Sequence, residues 1–396
     1  MNIIRRKAFY CLLVSFLLAL LTAPAVLAQS DERIAAVEGR QPDSNNDLDK
    51  LTLAELLVSL KVPGVSIAVI NNYKVEWARG YGLADVATGE PVTTRTLFQA
   101  ASISKPVFTM GVMKAVQNGR ISLDADVNKY LRDWKVPVSD FNSSTPVTPR
   151  SLLSHTSGAD DGLGFPGYAP DTSLPTLPQI INGEKPANTK KVLFARHPYE
   201  AYKYSGGGMT IMQLAFMNAL NKPFAELMDQ LVLTPLGMKD STYQQPVSEK
   251  FSKQTSRAHD SSGKPMDRKW HVYPEQAAAG LWTTPSDLAL FLLEVQAALD
   301  GKGKVLTQAS AKEMTRPTGV GPFAVGLVVD KKGEGWYFSH SGSNWGFQCD
   351  MASHLRKGYG IVVMTNGNNG GALIREIESR VARAYKWDSL DKPLRR

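Results

Sequence analysis

Ser102-Ile103-Ser104-Lys105 stands between the run Thr96-Leu-Phe-Gln-Ala-Ala-Ser102 and a helical pattern that reaches Gly119. A serine opening a helix with a lysine three residues on is an S-x-x-K pattern. Residues three apart share a helix face, so the Lys105 amine reaches the Ser102 hydroxyl. Free N–H groups and the positive dipole end at a helix start favour an anionic oxygen and disfavour a protonated amine. Lys105 is therefore expected to be neutral and basic beside Ser102. A second S-x-x-K, Ser261-Ser-Gly-Lys264, serves as a control. Gly263 and Pro265 mark a turn there, and no apolar periodicity follows.

Working outward, Leu48, Leu51, Leu56, Leu57 and Leu60 recur at helical spacing, and Pro63-Gly64 ends that helix. Val65–Ile70 and Lys74–Arg79 flank Asn71-Asn72, a hairpin signal. The middle of the chain is rich in Pro, Gly, Ser and Asp, with short helices such as the one opened by Thr148-Pro149. Long irregular stretches of this kind usually shape a site. Strand signals return at Phe323–Val329, Gly335–Ser339, Gly346–Ala352 and Tyr359–Met364, followed by a helix over Ala372–Tyr385. The expected class is α+β: an antiparallel sheet flanked by helices, formed from both chain ends, with a mainly helical domain inserted. The expected division is a flexible lead over 29–46, a sheet domain from 47–120 and 310–390, and a helical, loop-rich domain over 121–309.

Met1 to Ala28 reads as a cleavable signal peptide. Arg5, Arg6 and Lys7 precede an apolar run from Ala8 to Leu21, and Val26-Leu27-Ala28 is a small-residue cleavage site. Thr22 and Pro24 interrupt a run already short for a membrane span, so no stable anchor is expected after cleavage. The location implied is periplasmic or secreted. Cleavage also removes Cys11 and leaves Cys349 alone, so no intramolecular disulfide is possible and the core must hold the fold. A hydrophobic content of 43% can supply that core. The net charge of +8 falls to +5 without Arg5, Arg6 and Lys7. The remaining charges are scattered, which favours a solvated surface over nucleic-acid binding.

A serine nucleophile needs a proton acceptor, an oxyanion hole and usually a second proton carrier. Tyr204-Ser205-Gly206-Gly-Gly208 sits just before a helix and is the best second motif. An ammonium beside a phenol favours the phenolate, so Tyr204 is expected to ionise readily and to exchange protons with Ser102. Tyr199 and Tyr202 are neighbours that do not lead into the glycine run. His340-Ser341-Gly342-Ser343 follows an expected strand, whose edge can donate the Ser343 N–H. That group and the Ser102 N–H would form the oxyanion hole, worth ~3 kcal/mol per donor. His340 is expected to hold a substrate carbonyl or carboxylate, or to relay a proton. Gly342, Ser341, Gly206 and Trp345 are the expected substrate-facing positions, Gly342 because a bare backbone permits close approach. His155 is read as structural first.

These residues resemble the serine β-lactamase and penicillin-binding-protein superfamily, and most closely its class C β-lactamase-like branch of esterases and D-aminopeptidases. The resemblance spans roughly Gly64 to Tyr385. It rests on Phe98-Gln-Ala-Ala-Ser-Ile-Ser-Lys105, Thr148-Pro-Arg-Ser-Leu-Leu-Ser-His-Thr-Ser-Gly158, Tyr204-Ser-Gly206, Ala278-Ala-Gly-Leu-Trp-Thr-Thr-Pro-Ser-Asp287, His340-Ser-Gly342 and Tyr359-Gly-Ile-Val-Val-Met-Thr-Asn366. It implies that Ser102 is acylated, Lys105 is its buried base partner, Tyr204 is a general base and acid, and Ser343 supplies the second oxyanion N–H. Two departures stand out. The β-lactamase second motif is Tyr-x-Asn, which occurs nowhere in this chain, and its third motif begins with Lys where this one has His340. Losing an amide contact and a fixed cation removes ~1–3 kcal/mol each.

The leading expectation is an exported serine hydrolase acting on small esters, amides or D-amino-acid peptides. The alternatives are a β-lactamase or cell-wall D,D-carboxypeptidase, and a non-catalytic penicillin-binding-like sensor. No cofactor or metal is expected. The six histidines show no ligand spacing, and no G-x-S-x-G elbow or nucleotide-binding fingerprint occurs.

Overall fold

The computed structural model describes residues 29–41, 46–162 and 164–388. The expected signal peptide lies outside them. Nine strands follow in chain order: β1 (Gly64–Asn71), β2 (Lys74–Asp85), β3 (Glu90–Pro91), β4 (Phe98–Gln99), β5 (Trp282–Thr283), β6 (Val328–Lys332), β7 (Gly335–Asn344), β8 (Phe347–His354) and β9 (Gly360–Thr365). Seven form one sheet in the order β3-β2-β1-β9-β8-β7-β6. Its ladders are antiparallel throughout. The pairing of β1 with β9 joins the two ends of the chain at mid-sheet.

The β1–β2 hairpin turns at Asn72 and Tyr73, both at positive φ, the geometry that matches right-handed strand twist. On β1 the side chains alternate between two cores. Val65, Ile67 and Val69 join Leu53, Leu56, Leu373 and Ile377 on the outer face. Ala68 and Ile70 join the core that runs without a break into the helical insertion through Phe108, Met209, Leu292 and Met364. A strand buried on both faces reads as a continuous apolar run, as 65–70 does.

The late strands differ in extent from expectation. Phe323–Leu327 is an irregular bend with Gly326 at φ +85° packed on Thr109, and only Phe323 bridges to Val328. β7 instead continues through His340–Ser343. The single helix expected over Leu48–Leu60 is broken, because Thr52 caps a new helix with a reciprocal Thr52–Glu55 capping box.

The flexible lead expected over 29–46 is also corrected. Residues 29–38 form helix α1, which buries Ile34 and Val37 in the outer core and pairs Arg33 with Glu76 at 3.2 Å. Two apolar residues one turn apart in a polar stretch are a weak signal that docking on the sheet makes decisive.

Further helices are α2 (Leu53–Ser59), α3 (Ser104–Gln117), α4 (Pro149–Leu153), α5 (Leu177–Asn182) and α6 (Gly206–Leu220). The last helix, Gly370–Tyr385, covers the outer face. Its Arg380 is fully buried. The guanidinium bonds Glu376 at 2.7 Å and the carbonyls of Gly39, Leu48 and Leu51 at 2.9, 2.9 and 2.7 Å. One side chain thereby ties the chain's last helix to the ends of two early segments. Removing one member of a buried ionic network typically costs ~3–5 kcal/mol. Arg380→Met is expected to lower unfolding stability by about 3 kcal/mol in urea titrations followed by circular dichroism. A loss below about 1 kcal/mol would mean that the outer core holds these segments unaided.

Candidate active site

Ser102 lies in a 3₁₀ turn, Ala101–Ile103, that runs directly into α3. Ala101 sits at φ +47°, a conformation that costs a residue with a side chain ~1–3 kcal/mol unless its surroundings enforce it. They do. The Ala100 N–H donates to the Leu281 carbonyl at 2.8 Å, and the Ser104 hydroxyl donates to the Ala101 carbonyl at 2.5 Å. Ser104 Oγ also accepts the Leu281 N–H at 3.0 Å, and the Tyr243 hydroxyl donates to the Ser104 carbonyl at 2.7 Å. The second serine of the motif is thus structural.

Lys105 is 2% exposed. Its Nζ donates to Ser102 Oγ at 2.9 Å and to the Ala278 carbonyl at 2.7 Å. Burial pulls its pKa down to about 7, against the opposing charge of Asp161. Desolvation of the ammonium supplies this shift. A substantial neutral fraction therefore exists at physiological pH.

Tyr204 enters from the turn before α6, its ring 5.0 Å from Lys105 Nζ and its hydroxyl hydrogen-bonded to the Ser102 side chain. The expectation that it ionises readily is corrected. Burial pushes the phenol well above its ordinary range, and the Ser102 bond offsets this only in part. The ring lies on His155, centroids 4.3 Å apart and planes 31° from parallel, and burial keeps Tyr204 a neutral phenol near neutrality. His155, at φ +58°, accepts the Ser205 N–H on Nδ1 at 3.2 Å and holds Tyr204 from beneath.

β6 stops at Val328 opposite Ser339, so β7 has an open edge from His340 onward. The tight turn Trp345-Gly346 closes on the pair Asn344–Phe347. Alternation along the ladder sends the N–H and C=O of Gly342 and Asn344 toward β8 and those of Ser341 and Ser343 to the open edge. The strand lies against the nucleophile turn, because a Cβ at Gly342 would stand 2.5 Å from the Ala100 carbonyl, 2.6 Å from Cys349 Sγ and 3.0 Å from Ala101 Cβ. Close packing against the Ser102 turn therefore requires glycine at 342.

His340 is 4% exposed. Its Nδ1 meets the Ser341 carbonyl at 2.6 Å, while Nε2 has no protein partner. Burial, reinforced by the Lys105 charge, pushes its pKa down to about 3. It is a neutral ring with Nδ1–H donating and a buried Nε2 left without a protein partner, so it carries no imidazolium proton to relay near neutrality.

Two further expectations change. Gly206 opens α6 beneath Phe165, whose ring a Cβ would meet at 2.7 Å, so Phe165 covers the place where a side chain at 206 would reach. Trp345 stacks on His271 with centroids 4.0 Å apart and stands at the hairpin tip. Ser341 is exposed on the open edge.

Sequence reasoning missed Phe323, which meets His155 and His340 edge-on at 4.8 and 5.7 Å. It also missed Asn344, which bonds Gln99 Oε1 and the Ala279 carbonyl at 2.9 and 3.1 Å, and Asp161. None carries a local motif. Only the doubled Asp160-Asp161 after Gly158 could have drawn notice.

With neutral Lys105 as proton acceptor, the prediction is that kcat/KM on a neutral ester falls about tenfold per pH unit below the Lys105 midpoint and levels off above it. A profile flat through the range about 5 to 9 in stopped-flow assays would remove Lys105 from that role.

A family model described as Beta-lactamase matches residues 50–385. Protein flp of Staphylococcus aureus (strain MW2) is 25% identical over 339 residues, covering 83% of this chain and 64% of that protein. The chain thus spans about two-thirds of the length of that curated relative. Esterase EstB of Burkholderia gladioli is 27% identical over 209 residues, covering 48% of this chain and 50% of the esterase. Among solved structures, D-amino acid amidase from Ochrobactrum anthropi SV3 superposes with a TM-score of 0.68 at 23% identity, covering 90% of this chain and 98% of the amidase. That likeness shows a shared fold. With the family model spanning most of its length and the sheet, helical insertion and Ser102–Lys105 pair in place, the chain belongs to the beta-lactamase family.

Proposed function

We propose that this protein is an exported serine hydrolase that forms an acyl-enzyme on Ser102 with small, uncharged esters or amides, including those of D-amino acids. The observation that carries the proposal is a desolvated lysine amine 2.9 Å from the Ser102 hydroxyl. Neutral Lys105 takes the Ser102 proton as Oγ attacks the carbonyl carbon. The N–H groups of Ser102 and Ser343 hold the oxyanion. The Tyr204 hydroxyl passes its proton to the departing oxygen or nitrogen and is replenished from Lys105. Water then attacks the acyl-enzyme by the reverse relay, releasing the acid and restoring Ser102.

The choice of neutral substrates follows from charge. His340 is uncharged where a β-lactamase carries lysine, so no fixed cation from the third motif meets a carboxylate. The amide position of the second motif is a glycine under Phe165. Both features weigh against β-lactams and D-alanyl carboxylates. Esterase EstB and D-amino acid amidase, by their names, act on an ester and on an amino-acid amide, which fits this class. Export rests on the first 28 residues and is tested by the N-terminus of the secreted protein.

A panel of p-nitrophenyl esters, D- and L-amino-acid anilides and nitrocefin, run beside Ser102→Ala, tests the proposal. Turnover of short neutral esters or D-anilides is expected to exceed nitrocefin turnover by at least about a hundredfold, as two lost polar contacts allow. Ser102→Ala should abolish both turnover and fluorophosphonate labelling with the melting curve unchanged. A folded wild-type protein that takes no label would be the sensor instead.

A further inference from the structure

We propose that Asp161 is the positioning residue of the second motif: its carboxylate fastens the backbone on the C-terminal side of Tyr204 and supplies the buried negative charge that faces Lys105. The inference rests on the hydrolase function proposed above. Asp161 accepts the Ser205 hydroxyl on one oxygen and the Gly207 N–H on the other at 2.5 Å. Ser205 Oγ in turn accepts the Gly208 N–H at 2.7 Å, and the Ser205 N–H is held by His155. The residue after Tyr204 is therefore pinned at both its amide and its hydroxyl. A carboxylate at a helix start also satisfies N–H groups that lack partners within the helix. Gly207 admits it, since a Cβ there would come within 2.9 Å of Asp161 Oδ2.

The second half concerns charge. Lys105 is contacted by the Ser102 hydroxyl and the Tyr204 ring, and the groups coupled to its charge are the neutral rings of His155 and His340 and the carboxylate of Asp161. Asp161 alone among them is an anion. Burial raises its carboxyl above the ordinary range, opposed by Ser205, Gly207 and Lys105. Its neighbour Asp160 is paired with Arg196 and Lys203 at 3.4 and 3.5 Å and does not serve the site. An anion beside a desolvated lysine holds a proton on it. Without Asp161, Lys105 is a weaker base but is neutral at lower pH.

Asp161→Asn and Ser205→Ala separate the two contributions, with p-nitrophenyl butyrate as the probe across pH. Asp161→Asn is expected to lower the kcat plateau about tenfold or more while moving the acid limb of kcat/KM down by about one pH unit. Ser205→Ala should lower kcat with the limb unmoved, because the charge remains. A limb that stays put in folded Asp161→Asn overturns the charge role. Wild-type kcat in Ser205→Ala overturns the positioning role, and this variant serves if Asp161→Asn fails to fold. Ester turnover by the wild type that depends on Ser102 is the control: its absence defeats the hydrolase function itself, whereas its presence with unchanged variants defeats only the assignment of Asp161.

Discussion

The structure turns on the desolvation of one amine. Lys105 is lodged between the Ser102 hydroxyl and the Ala278 carbonyl, with apolar side chains of the inner core closing around its stem. A lysine there is costly to keep charged, and the molecule meets that cost by letting the proton go near neutrality. The position requires three separate stretches. α3 aims the side chain, the pairing of β4 with β5 brings 278–283 alongside the nucleophile turn, and Ser104 bonds both. Ala101 is held at positive φ by the same contacts, so the turn that exposes Ser102 and the bond that holds Lys105 are one construction.

The open edge of β7 is the second element of the site, and topology explains why it is there. The sheet closes by pairing the first strand with the last, which places β7 beside β8 and near the nucleophile turn. β6 ends early, leaving the N–H groups of Ser341 and Ser343 unpaired within the sheet. A one-residue change of register would send those groups to β8 instead. The closing pair Asn344–Phe347 fixes that register, and Asn344 is further tied to Gln99 and Ala279. Phase along the strand is thereby locked to the segment that carries Lys105's carbonyl partner.

Around these two elements the site is aromatic and neutral. His155, Tyr204, Phe323 and His340 pack ring against ring, and both histidines are too buried to be charged near neutrality. The low-dielectric wall strengthens the remaining electrostatics, those of the backbone amides and of the Asp161 charge acting on Lys105. His340 is neutral, and its buried Nε2 has no hydrogen-bond partner within the protein.

The sequence alone determined the Ser102–Lys105 pair, because spacing along a helical turn is local geometry: residues three apart come to share a face. It likewise determined the two-ended antiparallel sheet, since apolar runs and turn residues act over a few positions. Quantities set by burial were decided only by tertiary structure. The charge states of Tyr204 and His340 follow from desolvation that no local pattern records, and Tyr204 came out opposite to the simple rule that a cation favours a phenolate. Gly342 reads as a close approach for substrate and Gly206 as a lost amide, whereas the neighbours that a side chain at either position would meet, the Ala100–Ala101 turn and Phe165, appear only in the fold. α1 formed in a stretch that reads as polar because the outer face of the sheet was there to receive Ile34 and Val37. Beyond the doubled Asp160-Asp161, nothing in the sequence marks Asp161, since what a carboxylate does depends on which helix end the fold sets opposite it.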